Sequence, residues 1–263
     1  MTLALPRGIY DEPRLYDIAF SYRNFDNEAR ALLDWFKTYG GTGRRPRSAL
    51  ELASGPARHS LELAKAGVGV SILDRSPRMC GYAKTLARRA GTDLLAIEGD
   101  MVDFNLGVRF DLVLNMLDST SHILTASDLK AHFIHVAEHM RPGGIYIVEL
   151  ARPRKQGEPP STRTTWEAKR RSTHVRIQWG SSRDPTVKHV THTRVRLVST
   201  SPAGITKIDA NVPQRHWTGA EVQRAIRESQ SLSVAAAFGD FDSDVDARSP
   251  RAWRLIYVLR LAR

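Results

Sequence analysis

Four residues pose the chemical question: Glu51, Gly55, Asp74 and Asp100. They lie in "LELASGPARHS", "VSILDRSP" and "AIEGDM", and each stretch follows or closes an apolar run. A glycine after a strand lets the backbone turn tightly and approach a ligand. A helix from about Arg58 aims its N-terminal dipole at the same place. Glu51 adds a negative charge beside the turn, which suits a cation better than a phosphate. Asp74 lies 19 residues past Gly55, where a carboxylate accepts from both hydroxyls of a ribose. Asp100 can accept from an exocyclic amine such as adenine N6, and Met101 can pack on the ring. Any one of these acids alone reads as a helix cap or a solvated carboxylate. A ribose, an adenine and a nearby cation together describe S-adenosylmethionine. A dinucleotide such as NAD or FAD fits less well, because Ala53 and Ala57 replace glycines and Arg58 stands at the third glycine position.

Those residues need strand ends to carry them, and the pattern supplies strands. Apolar runs near 48–52, 68–73, 94–98, 110–116 and 144–150 read as strands, and 58–66, 77–90 and 127–140 as helices. Pro142-Gly143-Gly144 is expected to end the last helix and open the next strand. Strand–helix repeats of this kind demand a parallel sheet with helices on both faces. Ahead of them, Leu15, Ile18, Ala19, Tyr22, Ala29, Leu32, Leu33, Trp35 and Phe36 predict a helix over 15–38, broken by "YGGTGRRPRS". Behind them, "ARPRKQGEPPS" reads as a linker. Residues 163–213 alternate with period two, Val175, Ile177 and Trp179 against His174, Arg176 and Gln178, which predicts an antiparallel sheet with one wet face. Thr218 and Glu221 form a capping box that opens a helix to about Gln230. Strands at 232–239 and 252–261 close the chain. The expected domains are a helical lid (1–45), an α/β core (46–154), an antiparallel insertion (155–213), and a helix with two closing strands (214–263).

The 263 residues suffice for one large α/β domain with a small insertion. Lys and Arg number 39 against 28 Asp and Glu, a net charge of +11, which attracts anions. The basic residues are scattered; Arg44, Arg45 and Arg47, then Arg163, Lys169, Arg170 and Arg171, are the densest groups. Nucleic acid is therefore an alternative partner but not the favoured one. The single cysteine, Cys80, excludes an internal disulfide and a cysteine-built metal site. His174, His189, His192 and His216 form no tight cluster in sequence, so no metal is expected. "MTLALPRGIYDEP" reaches Pro6 and Arg7 too soon for a signal segment, and no apolar run spans a membrane. A cytoplasmic location is expected.

"ALELASGPARHS", "VSILDRSPRM", "AIEGDM", "RFDLVLNMLDSTSHI" and "HMRPGGIYIVEL" together resemble a class I S-adenosylmethionine-dependent methyltransferase over residues 46–150. The chain is similar to the small-molecule branch that includes glycine and sugar N-methyltransferases. The resemblance implies a Rossmann-like, doubly wound, seven-stranded sheet with an antiparallel last strand, plus an inserted small antiparallel sheet. It implies Glu51, Ala53 and Gly55 around the methionine moiety, Asp74 with Arg75 at the ribose, Met79 nearby, and Asp100 with Met101 at adenine. Met116, Leu117, His122 and Tyr16 would also touch the cofactor.

"NMLDSTSHIL" follows the fourth strand, where the resemblance implies contact with both cofactor and acceptor. Asp118, Ser119 and His122 would face the reacting centre. His122 is open to three roles: general base, partner of the cofactor carboxylate, or helix cap. Nucleic-acid amino-methyltransferases carry Asn or Asp, two prolines and an aromatic here, and this chain does not. Tyr22 and Arg23 on the lid, with Arg215 and Trp217 at the rim, would meet the acceptor, and Tyr22 joins His122 and Asp118 as a catalytic candidate; Trp217 also reads as a hydrophobic staple. In-line methyl transfer asks the protein for alignment, dryness and a proton acceptor where the acceptor atom needs one. The expected activity is methyl transfer to nitrogen or oxygen of a small molecule or short peptide. The alternatives are an RNA methyltransferase, an NAD-dependent oxidoreductase, and a non-catalytic cofactor-binding subunit. The antiparallel segment can also pair across a homodimer.

Overall fold

A computed structural model of the chain describes residues 8–41, 43–151, 162–187 and 189–262. The linker reading at 151–161 and the N-terminal reading fall almost wholly outside these residues. The chain divides into two compact units, one of residues 8–24 and 162–216, the other of 25–151 and 217–262.

In the larger unit the strands are β1 (Ser48–Leu52), β2 (Gly69–Asp74), β3 (Leu95–Glu98), β4 (Phe110–Asn115), β5 (Met140–Ala151), β10 (Leu232–Phe238) and β11 (Arg254–Leu261). They form one seven-stranded sheet in the order β10-β11-β5-β4-β1-β2-β3. β1 pairs in parallel with both β2 and β4, and β11 runs antiparallel between β5 and β10. This is the expected Rossmann-like sheet, and its strand order reverses at β1 and β4.

Both faces are covered, which is why the strands read as near-continuous apolar runs. Leu50, Val113, Tyr146, Val148 and Tyr257 point to one face, where α5 (Ala126–Glu138) and α6 (Gly219–Ser229) pack. Ala49, Leu112, Ile147 and Ile256 point to the other, with α2 (Phe25–Tyr39), α3 (Arg58–Lys65) and α4 (Pro77–Arg89). Thr218 caps α6 and Glu221 closes the capping box.

β5 begins earlier than the sequence suggests, at Met140. Phe110 pairs with Met140 but Leu112 with Ile145, so Arg141–Gly144 bulge out of register while remaining in the strand. Gly143 has φ +80°, and a side chain at Gly144 would meet the Asp111 carbonyl at 2.8 Å and the Arg141 carbonyl at 2.9 Å. The two glycines thus serve the bulge.

The smaller unit is a four-stranded antiparallel meander: β6 (Thr162–Arg170), β7 (Thr173–Arg183), β8 (Val190–Ser201) and β9 (Gly204–Arg215). Val175, Ile177, Val195, Leu197 and Ile208 line its dry face, packed with Ile9, Leu15 and Ile18 of the N-terminal segment. Helix α1 (Pro13–Ala19) is fastened there by Asp17 to Arg170 at 2.5 Å and by the Trp166 indole to the Ala19 carbonyl at 2.8 Å. The helix predicted over 15–38 is therefore two helices, α1 and α2. Between Tyr22 and Ala29 only Phe25 is apolar, so the stripe that would hold one continuous helix lapses. Among the described residues, no helix is long and apolar enough to cross a membrane.

Candidate active site

The turn after β1 is built on left-handed backbone. Ala53, Gly55 and Ala57 have φ of 48°, 52° and 57°. Only glycine adopts such angles freely. The two alanines keep the conformation that glycine would supply, so the missing glycines leave the turn intact.

Asp74 stitches this turn to β2. One carboxylate oxygen accepts from the Gly55 amide at 2.7 Å, and the other accepts from the Ser76 amide at 2.8 Å. The Ser54 amide donates to the Leu73 carbonyl at 3.3 Å. Burial raises the Asp74 pKa, the two amide bonds oppose the rise, and the Glu51 charge adds to it. Each oxygen retains capacity for a hydroxyl donor beyond its backbone bond.

Glu51 points to the α2/α3 face and is almost wholly buried. Its carboxylate accepts from the Ser60 amide at 3.0 Å, in the first turn of α3. Helix α3 begins after Ala57, whose side chain provides no cap. Glu51 is thus the capping acceptor and holds the positive end of the helix dipole. A diphosphate would need that helix end. The carboxylate already there disfavours a dinucleotide and favours a cationic ligand.

Beneath the turn lies a buried ionic network that sequence reasoning missed. His59 Nε2 lies 2.7 Å from Glu28, and Nδ1 lies 3.5 Å from Glu51. Burial alone would push the His59 pKa down; hydrogen bonds and charges from Glu28 and Glu51 overcome this and raise it to about 8. Arg254 binds Glu149 at 3.0 Å and lies 3.8 Å from Glu28. Glu149 in turn accepts from the Leu117 amide at 3.0 Å. Strand alternation places Glu51, Glu149 and Arg254 on one sheet face, the single sequence signal for their meeting.

Leu117 and Asp118 both have φ of 56°, two successive non-glycine residues in a costly region. The bond to Glu149 holds the first. The second is held by its own carboxylate, which accepts from the Ala151 amide at 2.9 Å. Burial raises the Asp118 pKa to about 7, with Glu149 adding to the effect and the Ala151 bond opposing it. Ser119 donates its hydroxyl to the Met116 carbonyl at 2.7 Å. A 3-10 turn, Ser119–His122, follows. His122 is half-buried; burial lowers its pKa and the Arg75 charge lowers it further.

The Arg75 guanidinium, largely exposed, lies 3.6 Å from Asp100. Asp100 accepts from the Val102 amide at 2.9 Å. Asp74, Arg75, Asp100 and His122 therefore gather at the carboxyl ends of β2, β3 and β4, beside the turn after β1. Three buried polar atoms at this edge lack a hydrogen-bond partner: Ser54 Oγ, Asn115 Oδ1 and Thr120 Oγ1. Unsatisfied groups concentrated at a strand-order switch mark a place built for a ligand. Two carboxylates able to accept further hydrogen bonds, beside a helix end closed to phosphate, suit the chemistry of S-adenosylmethionine.

Met101 is buried against the core, with its sulfur 3.4 Å from the Asn115 amide. Met79 and Met116 are likewise core residues. Trp217 is not at a rim. It is buried with Val222, and its indole donates to the carbonyls of Thr120 at 3.2 Å and Ile123 at 3.1 Å, pinning the turn that carries His122. Its neighbour Thr218 begins α6, so Trp217 is drawn inward as the residue before the cap. Tyr16, Tyr22, Arg23 and Arg215 belong to the smaller unit. There Tyr16 stacks on Phe20 with ring centroids 4.5 Å apart, Tyr22 is exposed, Arg23 is half-exposed, and Arg215 ends β9. His174 pairs with Glu167 and His192 with Asp184.

Residues 49–144 match a family model described as a methyltransferase domain. The chain is 32% identical over 143 residues to a dTDP-3-amino-3,4,6-trideoxy-alpha-D-glucopyranose N,N-dimethyltransferase of Streptomyces venezuelae, covering 53% of this chain and 56% of that one. It is 35% identical over 102 residues to a dTDP-3-amino-3,6-dideoxy-alpha-D-glucopyranose N,N-dimethyltransferase of Streptomyces fradiae, covering 39% and 38%. The match thus spans about half or less of these curated relatives. In fold, the chain is similar to an S-adenosylmethionine-dependent methyltransferase from Clostridium acetobutylicum, with a TM-score of 0.80 at 17% identity over 95% of this chain and 97% of that one.

Proposed function

From a chain whose residues 49–144 match a methyltransferase domain, we propose an enzyme that transfers a methyl group from S-adenosylmethionine to an amine nitrogen of a small molecule, of the amino-sugar class on which its relatives are named to act. One observation carries the reading. The Asp74 carboxylate closes the turn after β1 through the Gly55 amide, beside a helix end that Glu51 has already filled. That arrangement accepts a ribose and tolerates a positive charge, and it repels a diphosphate.

Ala53 and Gly55 would hold the cofactor through backbone, Asp74 would take the ribose hydroxyls, and Asp100 the adenine amine. When bound, the cofactor supplies a methyl group on a positively charged sulfur. The remaining work falls to this chain. An amine acceptor must present a free lone pair, and the ammonium it becomes on forming its new bond can then release a proton. His122 is kept neutral by burial and by Arg75, so it can accept that proton near neutral pH. Asp118, raised to about 7, is the second group in the same turn able to exchange one. Glu149 and Ala151 fix that turn, which supplies alignment rather than chemistry.

Calorimetric titration with S-adenosylmethionine, followed by labelled-methyl transfer to nucleotide-linked amino sugars, a short peptide and mixed RNA, tests the proposal. Expected are binding by wild type, at least tenfold weaker binding by Asp74→Ala, and transfer to the amino sugars. Absent binding, or equal affinity in Asp74→Ala, overturns the cofactor reading. Binding with transfer only to RNA overturns the acceptor class, and binding with no transfer to any acceptor points to a non-catalytic subunit.

A further inference from the structure

Helix α5 carries His132, His135 and His139 at spacings of three and four, on one face of the helix. His139 is the cap residue just past its end. All three engage the segment that follows Asp100. His132 Nδ1 lies 2.7 Å from the Met101 carbonyl, and His135 Nδ1 lies 2.8 Å from the Val102 carbonyl. His139 Nε2 accepts from the Leu106 amide at 2.9 Å, while its Nδ1 lies 2.7 Å from the His135 carbonyl. A carbonyl can only accept, so Nδ1 bears the proton in all three rings. His139 must then be neutral, because its other nitrogen accepts an amide proton. The Tyr146 hydroxyl, 2.8 Å from His132 Nε2, completes the set as a donor. Burial holds His132 neutral, with its pKa pushed down to about 4. Phe104, between these backbone contacts in sequence, lies against the His139 ring with centroids 4.6 Å apart.

We infer that these three histidines are positioning residues that hold residues 101–106 so that Asp100 faces the adenine end of the bound cofactor. Asp100 is coupled to the clamp directly: its carboxylate accepts from the Val102 amide, and His135 grips the carbonyl of that same residue. The role rests on the cofactor reading above. It predicts that the clamp governs recognition of the purine amine more than general affinity.

The test uses the full chain with S-adenosylhomocysteine and its 6-oxo analogue, S-inosylhomocysteine. His135 is half-buried, so it tolerates replacement. His135→Leu is expected to bind S-adenosylhomocysteine about tenfold more weakly, the worth of a hydrogen bond, and to lose most of the preference over the inosine analogue. His135→Asn, which keeps a donor near the Nδ1 position, restores both. Unchanged affinity in His135→Leu, or an equal loss for both ligands with the preference intact, overturns the role. Wild type that binds neither ligand overturns the cofactor reading, and this role with it. Hydrogen exchange at the Leu106 amide tests the clamp apart from that reading. His139→Leu should speed that exchange at least tenfold, and an unchanged rate overturns the clamp itself.

Discussion

His59 lies between two carboxylates, Glu28 and Glu51, with 1% of its side chain exposed. Its folded pKa of about 8 exceeds the ordinary 6.5, so the folded protein binds the proton more tightly than the unfolded chain. The resulting stability is fully present below pH 6.5 and is lost as pH rises through 8. That interval corresponds to about 2 kcal/mol. His59→Gln cannot titrate and should be less stable than wild type at pH 6. The gap between the two should shrink by about 2 kcal/mol by pH 9, as read by urea unfolding at each pH. A constant gap would mean that His59 is not protonated in the fold. At this scale legibility divides sharply. Gly55, Asp74 and Asp100 could be picked out because each sits at a strand end, and strand ends follow from local pattern. His59 is merely the second residue of a predicted helix, and its partners lie 31 and 8 positions away. Glu149 and Arg254 are 105 apart. Only the sheet order brings β11 against β5, and no local pattern reports that.

The turn between β1 and α3 shows what an element tolerates. Ala53 pays for a left-handed backbone that glycine adopts without strain, about 1–2 kcal/mol, whereas glycine forfeits about 0.5–1 kcal/mol to unfolded-chain entropy. Ala53→Gly should therefore raise stability by up to about 1.5 kcal/mol, seen as a higher urea midpoint with an unchanged slope. A lower midpoint would show that the Ala53 methyl, packed against the α5/α6-side core, outweighs the strain. Element types in the larger unit were legible because short apolar runs, the mark of strands buried on both faces, alternated with helical spacing. Boundaries failed where backbone geometry intervened. β5 starts at Met140 because a bulge absorbs Arg141–Gly144, although Pro142 and the glycines read as a break. The helix over 15–38 divides where the apolar stripe lapses between Tyr22 and Ala29, a gap of under two turns that is short enough to read across as one helix.

Across the whole molecule, the +11 charge is partly answered on the small sheet: Arg194 and Arg196 share Asp209, and Arg176 and His174 share Glu167. Locally compensated charge is a wet face more than a polyanion track, consistent with the absence of a dominant basic tract in the sequence. The charge that matters most to architecture is buried. Asp17 is 3% exposed and is bound by Arg170 through both its carboxylate and its backbone carbonyl. Residues 153 positions apart thereby tie the N-terminal helix to β6, and sequence pattern could not foresee that the first helix belongs with the insertion. Asp17→Asn keeps the shape and removes the charge, leaving Arg170 with a weaker acceptor. Removing one member of a largely buried pair costs on the order of 3 kcal/mol, less where the partner reaches water, as Arg170 does. The loss should be local, because Asp17 and Arg170 both belong to the smaller unit. Hydrogen exchange should accelerate in α1 and β6 while the amides of β1 and α3 keep wild-type protection. Equal acceleration in β1 and α3 would show that the two units unfold as one, and would contradict the division of the chain after Asn24.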